Sequence, residues 1–240
     1  MPADPFADAL ESYWTTGRGS YRYTRDDGVS AVEDAWWYFT SYRDFLPTEK
    51  QALKWARGRI LDVGCGAGRH SLYLQRKGFK VTALDASPRV AAIAQARGVH
   101  DVRVAAACGH LPFARGEFDT VLLFGNNFGV CGNRAATGRM LRALSRITRP
   151  LGRVLLTTRA PGTFKPTHLN YWNRQLAHKK EFGVVRFRLD FHGRHQKWVS
   201  LYLMSPSELV QFARKTGWVV KQVMGDGNAE DGYAAVLEKE

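Results

Sequence analysis

GRILDVGCGAGRHSLYL, residues 58–74, decides how this chain is read. Ile60, Leu61 and Val63 make a short apolar run, partly β-branched, of the kind that forms a buried strand. Gly64-Cys65-Gly66-Ala67-Gly68 follows at once, and from Arg69 to Gln75 apolar residues return at helical spacing. Strand, glycine turn and helix is the reading. The glycines remove side chains where the chain turns sharply and where a ligand approaches backbone, and the first N–H groups of the next helix are left pointing at that ligand. An ordinary tight turn can be spelled the same way. The context argues for more, because a second strand, Phe79 to Leu84, ends on Asp85, where an acidic residue can accept the two hydroxyls of a ribose.

Outward from this stretch the alternation is regular. A helix over 48–57 leads into the strand; helices over 69–77 and 88–97, the second capped by Ser87, alternate with strands at 80–84 and 102–105. Residues 106–113 form a loop, 117–124 the fourth strand, 135–148 a helix and 153–158 the fifth strand. Close βα units predict a parallel sheet covered on both faces, with ligands outside the carboxyl ends of its strands. The loop at Cys108, the exit Gly125-Asn126-Asn127-Phe128-Gly129 and the glycine turn therefore converge on one crevice. After Arg159 the alternation lapses. A helix over 171–180, a hairpin of strands 184–191 and 196–203 turning at His192-Gly193-Arg194, a helix starting at Ser205-Pro206-Ser207-Glu208, and strands at 218–224 and 233–237 complete the chain.

The N-terminal part reads differently. A short helix over 5–10 precedes an aromatic, glycine-rich and charged stretch, Glu11 to Asp27, which suits a flap over a ligand or an arm packed on the domain. Ser30, with Glu33 three residues on, predicts a capped helix whose face carries Val32, Ala35, Trp36 and Phe39.

The 240 residues suffice for one domain with insertions; 35 basic against 22 acidic side chains give +13. The excess is uneven, since Glu181 is the only acidic residue between Thr120 and Leu189, where Arg134, Arg139, Arg142, Arg146, Arg149, Arg153 and Arg159 recur. Such a field attracts anions without identifying them. No apolar run approaches the roughly 18 residues of a membrane span, and MPADPFADALESYW has no signal-peptide pattern, so a cytoplasmic protein is expected. Cys65, Cys108 and Cys131 are odd in number and far apart, which predicts neither a structural disulfide nor a metal centre.

Together these motifs resemble the class I S-adenosylmethionine-dependent methyltransferases over about Leu53 to Lys239. LDVGCGAGRHSLYL is similar to the family's first motif, VTALDASP to its second-strand acidic motif, HLPFARGEFDTVLL to the stretch between third and fourth strands, and LSRITRPLGRVLL to the following helix and fifth strand. The resemblance implies a Rossmann-like α/β fold: a seven-stranded, mostly parallel sheet in the order 3-2-1-4-5-7-6 with the last strand antiparallel. It also implies division into an N-terminal extension, 1–52, and a methyltransferase domain, 53–240, with a substrate-shaping insertion at about 159–204. Asp62, Gly64, Cys65, Gly66 and Gly68 would hold the methionine and ribose side of the cofactor, Asp85 with Ala86 the ribose hydroxyls, and Phe124 the crevice wall. Where many members carry an adenine-binding aspartate this chain has Ala107, which leaves the backbone of Cys108 and Gly109 for that contact.

Methyl transfer needs mainly alignment of acceptor and sulfonium methyl. Asn126 and Asn127 can orient the acceptor, or cap their own loop. His110, with His168, His192 and His195, is a candidate base for a hydroxyl or thiol acceptor. Gly125-Asn126-Asn127-Phe128 departs from the Asn/Asp-Pro-Pro-aromatic motif of amino-methylating relatives. A small-molecule acceptor is expected, with RNA as the alternative suggested by the charge; steep loss of binding with salt would mark the polyanion. A nicotinamide dinucleotide fits poorly, because Arg69 stands where its third glycine belongs. A cofactor-binding protein without catalysis is a further alternative.

Overall fold

Ile60 to Val63 are buried throughout, and the strand they form is the middle of a seven-stranded sheet. The computed structural model describes residues 3–161, 166–178, 180–228 and 232–240. In chain order the elements are α1 (Pro5–Thr16), β1 (Ser20–Arg25), β2 (Ser30–Asp34), α2 (Pro47–Leu53), β3 (Arg59–Val63), α3 (Arg69–Arg76), β4 (Lys80–Asp85), α4 (Pro88–Ala96), β5 (Asp101–Val104) and β6 (Phe118–Leu123). There follow α5 (Arg134–Ile147), β7 (Thr148–Thr158), α6 (Pro166–Ala177), β8 (Val184–Phe191), β9 (Arg194–His195), β10 (Val199–Tyr202), α7 (Pro206–Arg214), β11 (Trp218–Asn228) and β12 (Gly232–Lys239). Single 3-10 turns occupy Ala35–Phe39, Tyr42–Asp44 and Asn127–Gly129. Among the described residues no helix is long and apolar enough to cross a membrane.

The large sheet runs β5-β4-β3-β6-β7-β12-β11. Its first five strands are parallel neighbours, and β12 lies antiparallel to both β7 and β11, which is the expected 3-2-1-4-5-7-6 order with the last strand reversed. Near-continuous apolar runs in β3, β6 and β12 suit strands covered on both sides. Leu61, Val121 and Leu123 face a core completed by Met140, Leu144 and Phe212 from α5 and α7. Ile60, Leu122 and Leu155 face the opposite core, with Ala52 and Leu74 from α2 and α3. Trp218, wholly buried, donates its Nε1–H to Leu141 O at 3.0 Å and ties β11 to α5.

The N-terminal extension and the insertion after β7 meet in a second, antiparallel sheet, β10-β8-β1-β2, with β9 paired to β8. Tyr23 lies opposite Leu189 and Arg25 opposite Phe187. Helix α1 is the filling between this sheet and the large domain: Ala7, Ala9 and Leu10 pack with Tyr21, Leu189 and Phe191 and also with Val90 and Ile93.

Two local expectations are corrected. Ser30 starts strand β2, not a helix. Asp27 grips Arg25 with both carboxylate oxygens, at 2.7 and 2.6 Å, and Gly28 turns the chain at φ +91°, so residues 30–34 pair along β1 from Thr24 to Ser20. Asp34 then accepts the N–H of Trp36 at 2.7 Å and starts the 3-10 turn. The strand expected over 196–203 is broken, because Asp190 faces His195 while Phe187 faces Val199. The returning strand holds one residue more than β8 between these pairs, which forces a bulge at Gln196-Lys197-Trp198.

The small sheet rests on the exit of β6 at Gly129, where a Cβ would fall within the van der Waals radius of the Tyr202 carbonyl oxygen. Gly129→Ala is expected to lower unfolding stability by about 2 kcal/mol, read as a lower urea midpoint.

Candidate functional site

The glycine turn has no side chains of its own with which to hold its shape. Gly64, Gly66 and Gly68 sit at φ +71°, +55° and +81°, in the left-handed region open to glycine. Neighbours supply the restraint. The N–H groups of Gly64 and Cys65 donate to Leu84 O at 2.7 and 3.0 Å. Asn127, from the exit of β6, donates its side-chain amide to Val63 O at 3.0 Å and Gly64 O at 2.9 Å, in the space a Cβ on Gly64 would take. Gly66 N–H donates to Asp85 Oδ2 at 3.1 Å, and Ser87 N–H to Asp85 Oδ1 at 3.0 Å. Burial pushes the Asp85 carboxyl above the usual range against these two donors, with Asp4 and Asp62 adding to the rise. Asp62 lies beneath the turn, buried, accepting from Ser71 Oγ at 2.6 Å, and burial raises it too.

The segment before α2 closes over the same turn. Asp4 caps α1 by accepting from Ala7 N–H at 3.1 Å and accepts from Ser87 Oγ at 2.7 Å, which ties the chain start to the Asp85 loop. Tyr38 stands over Gly66, where a Cβ would meet its ring at 3.3 Å, and its hydroxyl meets that of Tyr21 at 3.0 Å. Arg97 fastens this segment down: it donates to Tyr38 O at 3.2 Å, Phe39 O at 3.1 Å and Ala67 O, and its guanidinium lies 4.7 Å from the Phe39 ring centre. Burial, with the charge of Arg76, pushes Arg97 down to about 10.

Arg69, next in the chain after the turn, is buried between Trp37 and Phe45, at 4.6 and 5.0 Å from their ring centres. It pairs with buried Glu49 and donates to Thr40 Oγ1 at 3.2 Å. His70 Nε2 approaches Glu49 Oε1 to 3.3 Å, without hydrogen-bond geometry, and its ring abuts Phe45 and Phe124 edge-on. Burial alone would raise the Glu49 carboxyl, but His70 and Arg69 hold it below the usual range.

The far wall of the crevice corrects the reading of the cysteines. Cys108, in the exit of β5, and Cys131, past the exit of β6, form a disulfide with Cα atoms 5.5 Å apart. Their spacing in sequence carries no sign of this, because only the sheet brings the two exits together. Cys65 is the free thiol, buried beside Asp62 and Asp85 and pushed up by that burial. Asn126 is left-handed at φ +68°, its N–H donating to Thr157 O at 3.1 Å, and its side chain has no hydrogen bond among the described residues.

The structure thus gathers Asp62, Gly64, Cys65, Gly66, Gly68, Asp85, Ala86, Phe124, Asn126 and Asn127 at the exits of β3, β4 and β6, with Cys108, Gly109 and His110 on the β5 exit loop. His110 is exposed. His192 and His195 lie at the β8–β9 turn, His195 4.0 Å from Asp190, and the side chain of His168 is outside the described ones. Tyr38, Arg97 and Glu49 escaped the sequence reading; the one signal was Arg69, too large for a residue beside a tight turn unless it is buried with a partner.

A family model described as "Methyltransferase domain" matches residues 60–152. The chain is 38% identical over 111 residues to the malonyl-[acyl-carrier protein] O-methyltransferase of Pseudescherichia vulneris, covering 45% of this chain and 42% of that one. It is 28% identical over 161 residues to a ubiquinone biosynthesis O-methyltransferase of Xanthomonas oryzae pv. oryzae, covering 61% and 66%. The chain therefore spans about half the length of the curated relatives it matches. The crystal structure of a Bacteroides fragilis SAM-dependent methyltransferase with S-adenosyl-L-homocysteine superposes with TM-score 0.82 at 23% identity over 100% of this chain and 97% of that one, which shows a shared fold that includes the small sheet.

Glu49→Gln leaves Arg69 buried without its counter-charge and is expected to cost about 3 kcal/mol of stability at pH 7, measured by urea unfolding. A carboxyl held low in the folded state adds stability above its unfolded pKa and loses it as pH falls through the folded one. The gap between variant and wild type should accordingly narrow below the ordinary carboxylate range.

Proposed function

We propose that the chain is a class I, Rossmann-like S-adenosylmethionine-dependent methyltransferase and that it transfers the methyl group of S-adenosylmethionine to a small-molecule acceptor, leaving S-adenosylhomocysteine. The observation that carries the reading is the pairing of Gly66 N–H and Asp85 at adjacent strand exits, with Asn126 at the exit of β6. The residues fit the cofactor. At Gly64 the Asn127 amide fills the place of a side chain, so the turn keeps bare backbone, and each Asp85 oxygen, with one backbone donor, keeps a lone pair for a ribose hydroxyl. When bound, the cofactor supplies an electrophilic methyl group on a sulfonium.

The chain's own part is to bind, align and dry. The turn at 64–68 takes the methionine end, and the backbone of Cys108 and Gly109 lies on the adenine side. Asn127, engaged with the carbonyls of Val63 and Gly64, acts by holding the turn; the free amide of Asn126 orients the acceptor. The small sheet, β1 and β2 with β8 to β10, gives the N-terminal extension, 1–52, and the insertion at about 159–204 their part in shaping the acceptor space beside the cofactor domain, 53–240. The two curated relatives named above are O-methyltransferases, which favours an oxygen acceptor, and we assign to His110, on the β5 exit loop, the role of accepting its proton where that oxygen is a hydroxyl. We place the reaction in the cytoplasm, where the cofactor is made. An RNA acceptor rests on the +13 charge alone. Transfer of labelled methyl to a small-molecule extract and not to RNA decides between them.

Asp85→Ala is expected to weaken S-adenosylhomocysteine binding by about 3 kcal/mol, roughly a hundredfold, in calorimetry. The hydroxyl donors need the carboxylate, so wild-type affinity should fall with decreasing pH, beginning above the ordinary aspartate range because the Asp85 carboxyl is raised. Asn126→Ala should lower kcat tenfold or more and leave that affinity unchanged, whereas Asn127→Ala, which frees the turn, should weaken it; equal effects of the two on affinity would contradict the assignment.

A further inference from the structure

We propose that the Cys108–Cys131 disulfide is a thiol–disulfide exchange site, opened by a dithiol reductant, whose state sets the affinity of the crevice for its cofactor; the proposal rests on the cofactor reading above. The bond joins two unequally anchored loops. The β6 exit is held at many points: Gly125 N–H to Thr157 Oγ1 at 2.9 Å, Asn126 N–H to Thr157 O at 3.1 Å, Gly132 N–H to Gly129 O at 2.9 Å, and the Asn127 amide to Val63 and Gly64. The β5 exit is not. Between Ala105, whose N–H donates to Asp85 O at 3.0 Å, and Leu111, whose carbonyl accepts from Arg146 at 3.2 Å, the one hydrogen bond among the described residues is internal, Gly109 N–H to Ala106 O at 3.0 Å. Ala107 packs partly on the core, while Ala106, Cys108, Gly109 and His110 are exposed. The disulfide is thus the tie that fixes the adenine-side wall to the rest of the crevice.

Access decides which sulfur reacts. Cys108 is exposed; Cys131 is half-buried, with its Sγ 3.7 Å from Met140 Sδ. A reductant thiolate attacks Cys108 Sγ, forming a mixed disulfide and expelling the Cys131 thiolate. The second thiol of the reductant, as thiolate, then attacks the reductant's own sulfur in that mixed disulfide, closing a disulfide within the reductant and releasing the Cys108 thiolate. The reductant's two thiol protons pass through solvent to the two released thiolates; two electrons pass from reductant to protein. A solvent-facing disulfide in a reducing compartment is open to this exchange.

Calorimetric titration of S-adenosylhomocysteine into the oxidised protein and into the same protein after dithiothreitol, with cysteine state read by alkylation and mass, tests the proposal. At least fivefold weaker binding after reduction is expected, with kcat at saturating cofactor within twofold. Cys131→Ser should show the weaker affinity with and without reductant. Equal affinity of the two wild-type forms, or alkylation of Cys108 and Cys131 before reduction, overturns the proposal alone. Absence of binding in both forms overturns the cofactor reading and the proposal with it.

Discussion

A turn that presents backbone to a ligand cannot hold itself, and most of what surrounds residues 64–68 follows from that. Side chains there would block the approach, so stiffness comes from elsewhere: Asn127 from the β6 exit, Asp85 from β4, Arg97 from α4 and Tyr38 from the N-terminal segment. Each reaches the turn from a different element. The geometry of the crevice is therefore a property of the assembled fold, and loosening any one of these elements is felt at the same five residues.

The charges nearby follow the same logic. Taking Arg69, Glu49 and Asp62 out of water is expensive, and a buried pair seldom adds net stability over a well-packed apolar substitute. What it adds is position. Arg69 can satisfy Glu49 and Thr40 only with the 35–45 segment laid across α3, its guanidinium between Trp37 and Phe45. Arg97 meets three carbonyls and the Phe39 ring, an arrangement that specifies a backbone path more narrowly than an ion pair would. Two cations thus register a segment that has no regular structure of its own beyond two short 3-10 turns.

This division explains what was legible in the sequence. The βα core was, because apolar runs such as 118–123 and glycines closing helices, such as Gly78, are local signals. The second sheet was not, since β1 and β8 lie at opposite ends of the chain and nothing in either names its partner. Ser30-Ala-Val-Glu-Asp spells a helix start as well as a strand; the turn at Asp26-Asp27-Gly28 decided, by closing a hairpin that β8 then extends. The cysteines failed for the same reason, as a spacing of 23 residues becomes 5.5 Å between Cα atoms only when β5 and β6 are folded. Of the site, Gly64 to Gly68 and Asp85 were readable from type and spacing, whereas Arg97 and Tyr38 act through backbone carbonyls and van der Waals contact, which leave no motif.

The positive charge is also less free than a count implies. In the arginine-rich stretch, Arg134 donates to Tyr202 Oη, Arg146 to Leu111 O, Arg149 to Asp119 and Gly116 O, and Arg153 to Glu238 and Trp55 O. Arg186 and Arg188, on the small sheet, both lie over Trp198, at 5.5 and 5.1 Å, in the place where a base would stack. A surface made to grip a polyanion leaves its cations and rings available. Here four of the seven arginines from Arg134 to Arg159 fasten strands and loops to one another, so part of the excess charge is a by-product of how the fold is tied together. That weakens the one argument for RNA.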